Sequence, residues 1–135
     1  MQNGSRKLNS VTQAFVGDAF YELSVRHKLA DGGREYTADR LHFDAVRYVK
    51  ASSQAKVIRV FIDRGVLSEA ELNVVRKARN RKPKTIPKNA DPLDYKLATA
   101  FEALLGHHYL EGGTDRAEEL AELAMRVIDE GDSNG

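Results

Sequence analysis

The sequence predicts an all-α fold, and three observations carry that prediction. Apolar residues recur at helical spacing through most of the chain, helix-start signals stand before several of these stretches, and no credible pair of alternating strands occurs. Six helices or so are expected, in a single domain over 1–135 with its core at about 8–130.

Ser10 is positioned to cap a first helix running to about Leu29, with Phe15, Val16, Ala19, Phe20 and Leu23 on one side. The "ADGGRE" turn, containing Gly32 and Gly33, ends it. Thr37 reads as the N-cap of a helix to about Lys50, its face formed by Leu41, Ala45, Val46 and Val49. Ser52 or Ser53 starts the next, "QAKVIRVFIDRG", which stops at Gly65. "SEAE" (68–71) is a capping box, a serine with glutamate three residues later, and opens a helix that leaves helical geometry near Arg81. Pro83 and Pro87 then force a loop, and a further helix runs from about Pro92 to Leu110. Thr114 caps the last helix, acidic in its first turn, which is expected to end by Gly131.

Composition narrows the class. At 135 residues, a single core hides roughly two thirds of the unfolded chain's surface. Hydrophobic residues make up 41% and charged residues 30%, as in ordinary globular domains. The absence of cysteine excludes disulfides and thiolate metal sites and suits a reducing cytoplasm. "MQNGSRKLNS" has no apolar segment of the signal-peptide kind, and no stretch approaches a membrane span, so a cytoplasmic location is expected. The net charge of +1 hides an asymmetry: "RKARNRKPKTIPK" (76–88) holds seven basic residues and no acid, leaving the rest of the chain near −6 (1 − 7). That segment is a candidate for contact with an anionic partner.

Two acids stand out. Asp18 lies in "AFVGDAFYEL" with Val11, Ala14 and Val25 at i−7, i−4 and i+7, an apolar stripe. Glu102 lies in "ATAFEALLGHHYL" with Tyr95, Ala98, Leu105, Gly106 and Tyr109 at the corresponding spacings. A lone carboxylate in apolar surroundings costs several kcal/mol without a partner, on the order of 2–7 for an unpaired polar group. A basic side chain, a helix N-terminus or a cation would each serve, so an ordinary buried salt bridge and a cation site both fit. Each acid is followed by alanine, Ala19 and Ala103, small enough for close helix approach.

"FVGDAFYEL" resembles the signature of the ribonuclease III family, glycine-aspartate-alanine after apolar residues, and "FEALLGHHYLE" resembles that family's second acidic motif. The spacing of the two motifs and the helical pattern between them also fit, and the resemblance spans roughly residues 8–130. A chain stopping near Gly135 leaves no room for the double-stranded-RNA-binding domain that usually follows. With the basic insert ending "PKN" (87–89), this gives a resemblance to the short form of the family, the Mini-III ribonucleases.

The resemblance implies that Asp18 and Glu102 are catalytic and bind Mg²⁺, with Mn²⁺ as a substitute. It implies hydrolysis of double-stranded RNA to 5′-phosphate and 3′-hydroxyl ends by a homodimer whose two sites cut both strands. It also implies a large-subunit (23S) ribosomal RNA precursor as substrate, with a ribosomal protein as possible presenter. The full-length family carries further acids where this chain has Val11, Ala14 and Thr99; the short form lacks them too. Fewer carboxylates put a second firmly held metal in question. Glu22, one turn beyond Asp18, is either an accessory acting through water or a partner of Arg26 at i+4.

Duplex RNA presents phosphates and 2′-hydroxyls in a shallow groove, so recognition is mostly by shape and charge. Arg79, Arg81, Lys82, Lys84 and Lys88, on the proline-stiffened loop at about 79–91, are the expected RNA contacts. A solvated charge run is the plain alternative. His107 and His108 point about 100° apart on a helix and cannot chelate one ion together; they read as surface or interface residues. His42 is a candidate for touching RNA near the cleft. The competing function is a non-catalytic RNA-binding module of the same fold in ribosome assembly, against which the two acids argue.

Overall fold

The computed structural model describes residues 9–32, 37–83 and 85–134, with side chains to 132, and the expected all-α architecture is present. Six helices occur among the described residues: α1 (Ser10–Ala30), α2 (Ala38–Val49), α3 (Ala51–Asp63), α4 (Glu69–Asn80), α5 (Pro92–Leu110) and α6 (Thr114–Asn134). Helix α5 is the central post. It is apolar on nearly every side, as a helix surrounded by others must be, and it packs against α1, α3, α4 and α6. Ala100, Phe101, Ala103, Leu104 and Leu105 are fully enclosed there. Phe101 meets Tyr21 of α1 edge-on at 4.9 Å and Phe61 of α3 at 6.3 Å. All six helices contribute to one continuous core.

The start and stop signals act mostly where the sequence puts them, with four differences. Asn9, not Ser10, caps α1, its side chain accepting from the Thr12 amide at 2.9 Å; Ser10 is the first helical residue. Thr37 caps α2 as expected, accepting from the Arg40 amide at 3.2 Å. Neither Ser52 nor Ser53 caps α3, which follows α2 directly through Lys50, and the Ser53 hydroxyl instead donates to the Arg47 carbonyl at 2.7 Å. The capping box of α4 is complete in both directions. Asp91 caps α5, with Pro92 in its first turn. Thr114 opens α6 as its first residue, with Asp115 as the acid of the first turn. Gly131 does not end α6, which continues to Asn134. Gly33 lies outside the described residues.

The largest revision concerns the face of α1. Ala14 and Val25, from the stripe that carries Asp18, face the core with Gly17 and Tyr21, while Phe15 and Leu23, from the other apolar side, are 79% and 68% exposed. Ala19 is exposed too, and Val16 and Phe20 are half-buried. Helix α1 is apolar on two sides, so periodicity identifies a helix without choosing the side that meets α5. On α2, Ala45 and Val49 pack against the core, whereas Leu41 and Val46 lie at its rim.

Candidate active site

Glycine sets the geometry of the α1–α5 crossing. A Cβ on Gly17 would stand 1.7 Å from the Glu102 carbonyl oxygen, and one on Gly106 would stand 1.7 Å from the Gln13 carbonyl oxygen. Two helices so close at two reciprocal points leave no room for any side chain between them. Glycine inside a helix sacrifices about 1 kcal/mol relative to alanine, and here that cost gives backbone contact. The sequence expectation placed the close approach at Ala19 and Ala103; Ala103 is buried, but Ala19 faces solvent.

Because Gly17 touches Glu102 through the backbone, the next residue, Asp18, is brought beside it. Asp18 is exposed at the rim, and Glu102 is half-buried. Burial, then the facing Asp18 carboxylate in charge and hydrogen-bonding contact, push Glu102 up to about 8, and the more distant charge of Glu22 adds to this. The amide of Gln54, on α3, opposes the shift by hydrogen bonding to the Glu102 carboxyl. The two acids are therefore neighbours from two helices, and the setting disfavours the charged form of Glu102. This donor set fits a hard divalent cation: oxygen ligands, one or two carboxylates, and an open outer side where Asp18 meets solvent. No cluster of three or more acids and histidines occurs among the described residues.

The other expected residues fall into three places. Glu22 is half-buried and pairs with Arg26 at 3.3 Å, the plainer of its two readings, while its charge still reaches Glu102. His42 is exposed on α2, where it lines the α1–α2 groove together with Glu22 and Arg26. Arg79, Arg81, Lys82 and Lys88 are exposed and form no ion pair among the described residues. Lys84 lies outside the described residues. Arg81 and Lys77 line a cleft with Gln13 and His107, and Gln13 is five residues before Asp18, about 7.5 Å along the helix axis.

The histidines are a correction. His108 is not a surface residue: its Nε2 lies 2.6 Å from Glu71 Oε2, and its side chain is only 17% exposed. Arg116 of α6 grips the same carboxylate through Nε and Nη2, each at 2.9 Å, and donates to the Val66 carbonyl at 2.9 Å. Chiefly through Arg116, Glu71 is held down at about 2. His107 is half-buried, with its Nδ1 3.5 Å from Gln13 Nε2. The sequence offered Glu71 only as half of a capping box. Its second role depends on α5 and α6 arriving beside it, which no local pattern encodes. Gly17 and Gly106 did leave a signal, since each is a glycine inside an apolar helical run.

The fold and its central helix pair define the class. The model of the family described as the ribonuclease III domain matches residues 12–113, and the chain belongs to that family, an endoribonuclease by class. Within it, the chain stands with the Mini-ribonuclease 3 proteins. It is 40% identical to the Mini-ribonuclease 3 of Thermoanaerobacter sp. (strain X514) over 96% of this chain and 89% of that one. It is 43% identical to that of Brevibacillus brevis (strain 47), over 93% and 90%. A crystal structure of protein FN1578 from Fusobacterium nucleatum superposes with a TM-score of 0.78 at 27% identity, covering 90% of this chain and 94% of that one.

Proposed function

We propose that this endoribonuclease hydrolyses double-stranded RNA in a Mg²⁺-dependent reaction, with Asp18 and Glu102 as the metal ligands and catalytic residues. The observation that carries the reading is the meeting of these two acids at a glycine-to-backbone helix contact. Two adjoining acids, one of them half-buried, repel each other unless a cation neutralises them, and nothing basic pairs with either acid among the described residues. When bound, Mg²⁺ supplies an activated water and neutralises charge building on the phosphate; Mn²⁺ has the same ligand preference and substitutes.

The protein's own residues do the rest. Gly17 and Gly106 fix the separation of the helices that carry the acids. Arg79, Arg81, Lys82 and Lys88, together with Lys84, contact RNA phosphates. Glu22 acts at the edge of the site through water, and His42 touches the duplex from the α1–α2 groove. Products carry 5′ phosphates and 3′ hydroxyls.

The enzyme acts in the cytoplasm as a homodimer, so that two sites address two strands. Support comes from α1, where Val11, Phe15 and Leu23 are exposed, and from α5, whose exposed Tyr109 meets Phe20 of α1 at 5.7 Å. A large exposed apolar patch on a single chain marks an interaction surface, and two-fold pairing is the commonest closed assembly. The substrate is the precursor of large-subunit (23S) ribosomal RNA, presented by a ribosomal protein, as the resemblance of the two acidic motifs to the short form of the family implies.

Cleavage of a labelled duplex in Mg²⁺ tests the reading, with Asp18→Asn and Glu102→Gln for comparison. Staggered cleavage by the wild type, with binding but no cleavage by both folded variants, is expected. Duplex binding without cleavage by the wild type, on ribosomal precursors as well, would instead support a non-catalytic RNA-binding module.

A further inference from the structure

We propose that the cleft between α1, α4 and α5 is a subsite for a single-stranded ribonucleotide flanking the duplex. The inference rests on RNA as the substrate, and not on the reading of Asp18 and Glu102 as metal ligands. Neither acid lines this cleft. Gln13 precedes Asp18 by five residues and His107 follows Glu102 by five. Five residues turn about 140° around a helix, so the cleft residues occupy a different flank of both helices from the acids.

The lining carries the groups that a nucleotide needs. Lys77 and Arg81 stand one turn apart on the same side of α4, both exposed and outside any ion pair among the described residues. Like charges at this spacing repel, and a phosphate placed between them reverses the sign. Gln13 and Asn73 bring side-chain amides, which donate and accept as base edges do. His107 is half-buried, with its Nδ1 3.5 Å from Gln13 Nε2, and its ring is of the kind on which an unstacked base rests. Glu111 is the acid of the wall; it repels phosphate but accepts from a ribose 2′-hydroxyl, the group that distinguishes RNA.

Size selects the form of the RNA. The cleft volume of about 570 Å³ lies within the ~300–1,000 Å³ of small-ligand sites. It admits a nucleotide and excludes a double helix. Arg81 follows the last residue of α4 and begins the basic loop proposed to hold the duplex. A strand that leaves the duplex at that loop therefore meets Lys77 next.

The test compares two RNA duplexes of identical paired sequence, one blunt and one with short single-stranded uridine extensions, bound without divalent metal so that no cleavage occurs. The extensions are expected to raise wild-type affinity on the order of 10-fold, the value of one charge-assisted hydrogen bond. The slope of log affinity against log salt should steepen by about 0.7 for each phosphate held, the single-strand value. Arg126→Ala, which loses a cation outside the cleft, should keep the gain. Lys77→Ala should lose it while binding the blunt duplex as the wild type does.

Equal wild-type affinity for the two duplexes, or a gain that survives in Lys77→Ala, would overturn the proposal. So would an equal loss on both duplexes in Lys77→Ala, which would make the cleft wall a duplex contact. Equal gains from uridine and deoxyuridine extensions would overturn the assignment to a ribonucleotide. The acid variants separate the two levels. If Asp18→Asn and Glu102→Gln cleave as the wild type does while the extension gain persists, the metal-site reading fails and the cleft stands. If the wild type binds neither RNA, the subsite falls with the RNA reading.

Discussion

Gly17 and Gly106 have no room for a side chain. Adding a methyl at either places it 1.7 Å from a backbone carbonyl oxygen of the facing helix, an atom that cannot swing aside. Gly17→Ala or Gly106→Ala should therefore destabilise by about 1–3 kcal/mol or more, as overpacking does, despite the better helix propensity of alanine. Urea denaturation measures this. RNA cleavage should fall further than the loss of folded protein explains, because the acids are displaced together. A gain in stability would show that the helices separate without cost.

Glu71 should contribute to the response to acid. Its folded-state value of about 2 lies below the unfolded carboxylate value of 4.5, so the unfolded chain binds the proton more readily. Its contribution is complete above about pH 4.5 and is lost as pH falls toward 2. At about 1.36 kcal/mol per unit, the effect is on the order of 3 kcal/mol. Urea midpoints across this window should drop steeply for the wild type, and Glu71→Gln should flatten that part of the curve while lowering stability at neutral pH. An unchanged acid profile in Glu71→Gln would assign the loss to other carboxylates.

At the scale of elements, α4 is held at its N-terminus by a single residue with two attachments. Glu71 closes the capping box on the Ser68 amide at 2.8 Å and binds Arg116 and His108 through the same carboxylate. Ser68→Ala removes the cap but leaves the Arg116 contacts, so it should cost about 1 kcal/mol, the ordinary value of an N-cap. Arg116→Ala strips a buried carboxylate of its main partner and should cost more, about 3–5 kcal/mol by analogy with broken buried pairs. Chemical denaturation of the two variants ranks them; the reverse order would mean that the cap, not the ion cluster, anchors α4.

For the whole molecule, the open apolar face of α1 is the decisive surface. Phe15 is 79% exposed and contributes little to the core of one chain. Phe15→Asp should leave helical content by circular dichroism intact, convert a dimer to a monomer in sedimentation, and abolish paired cleavage of the two strands. A variant that unfolds, or a wild type that sediments as a monomer, would contradict the proposed assembly. The loop cations belong to the same scale. Arg81→Ala and Lys82→Ala together should weaken duplex binding at low salt. The slope of log affinity against log salt should fall by roughly 0.7–0.9 for each phosphate that is no longer neutralised.

Local sequence determined the elements because their signals are local. Caps such as Thr37 and Ser68, breakers such as Pro83, and helical periodicity act within a few residues. Asp18 and Glu102 were legible for a similar reason: a charge on an apolar stripe is conspicuous in one helix, and the motifs around both resemble one family. Tertiary structure decided what depends on which surfaces meet. It turned Phe15 and Leu23 outward on a helix that is apolar on two sides, and moved the close approach from Ala19 to Gly17. It joined Glu71, His108 and Arg116 across three helices. Periodicity gives the spacing of side chains around one axis; the partner each face finds is fixed only when the helices pack.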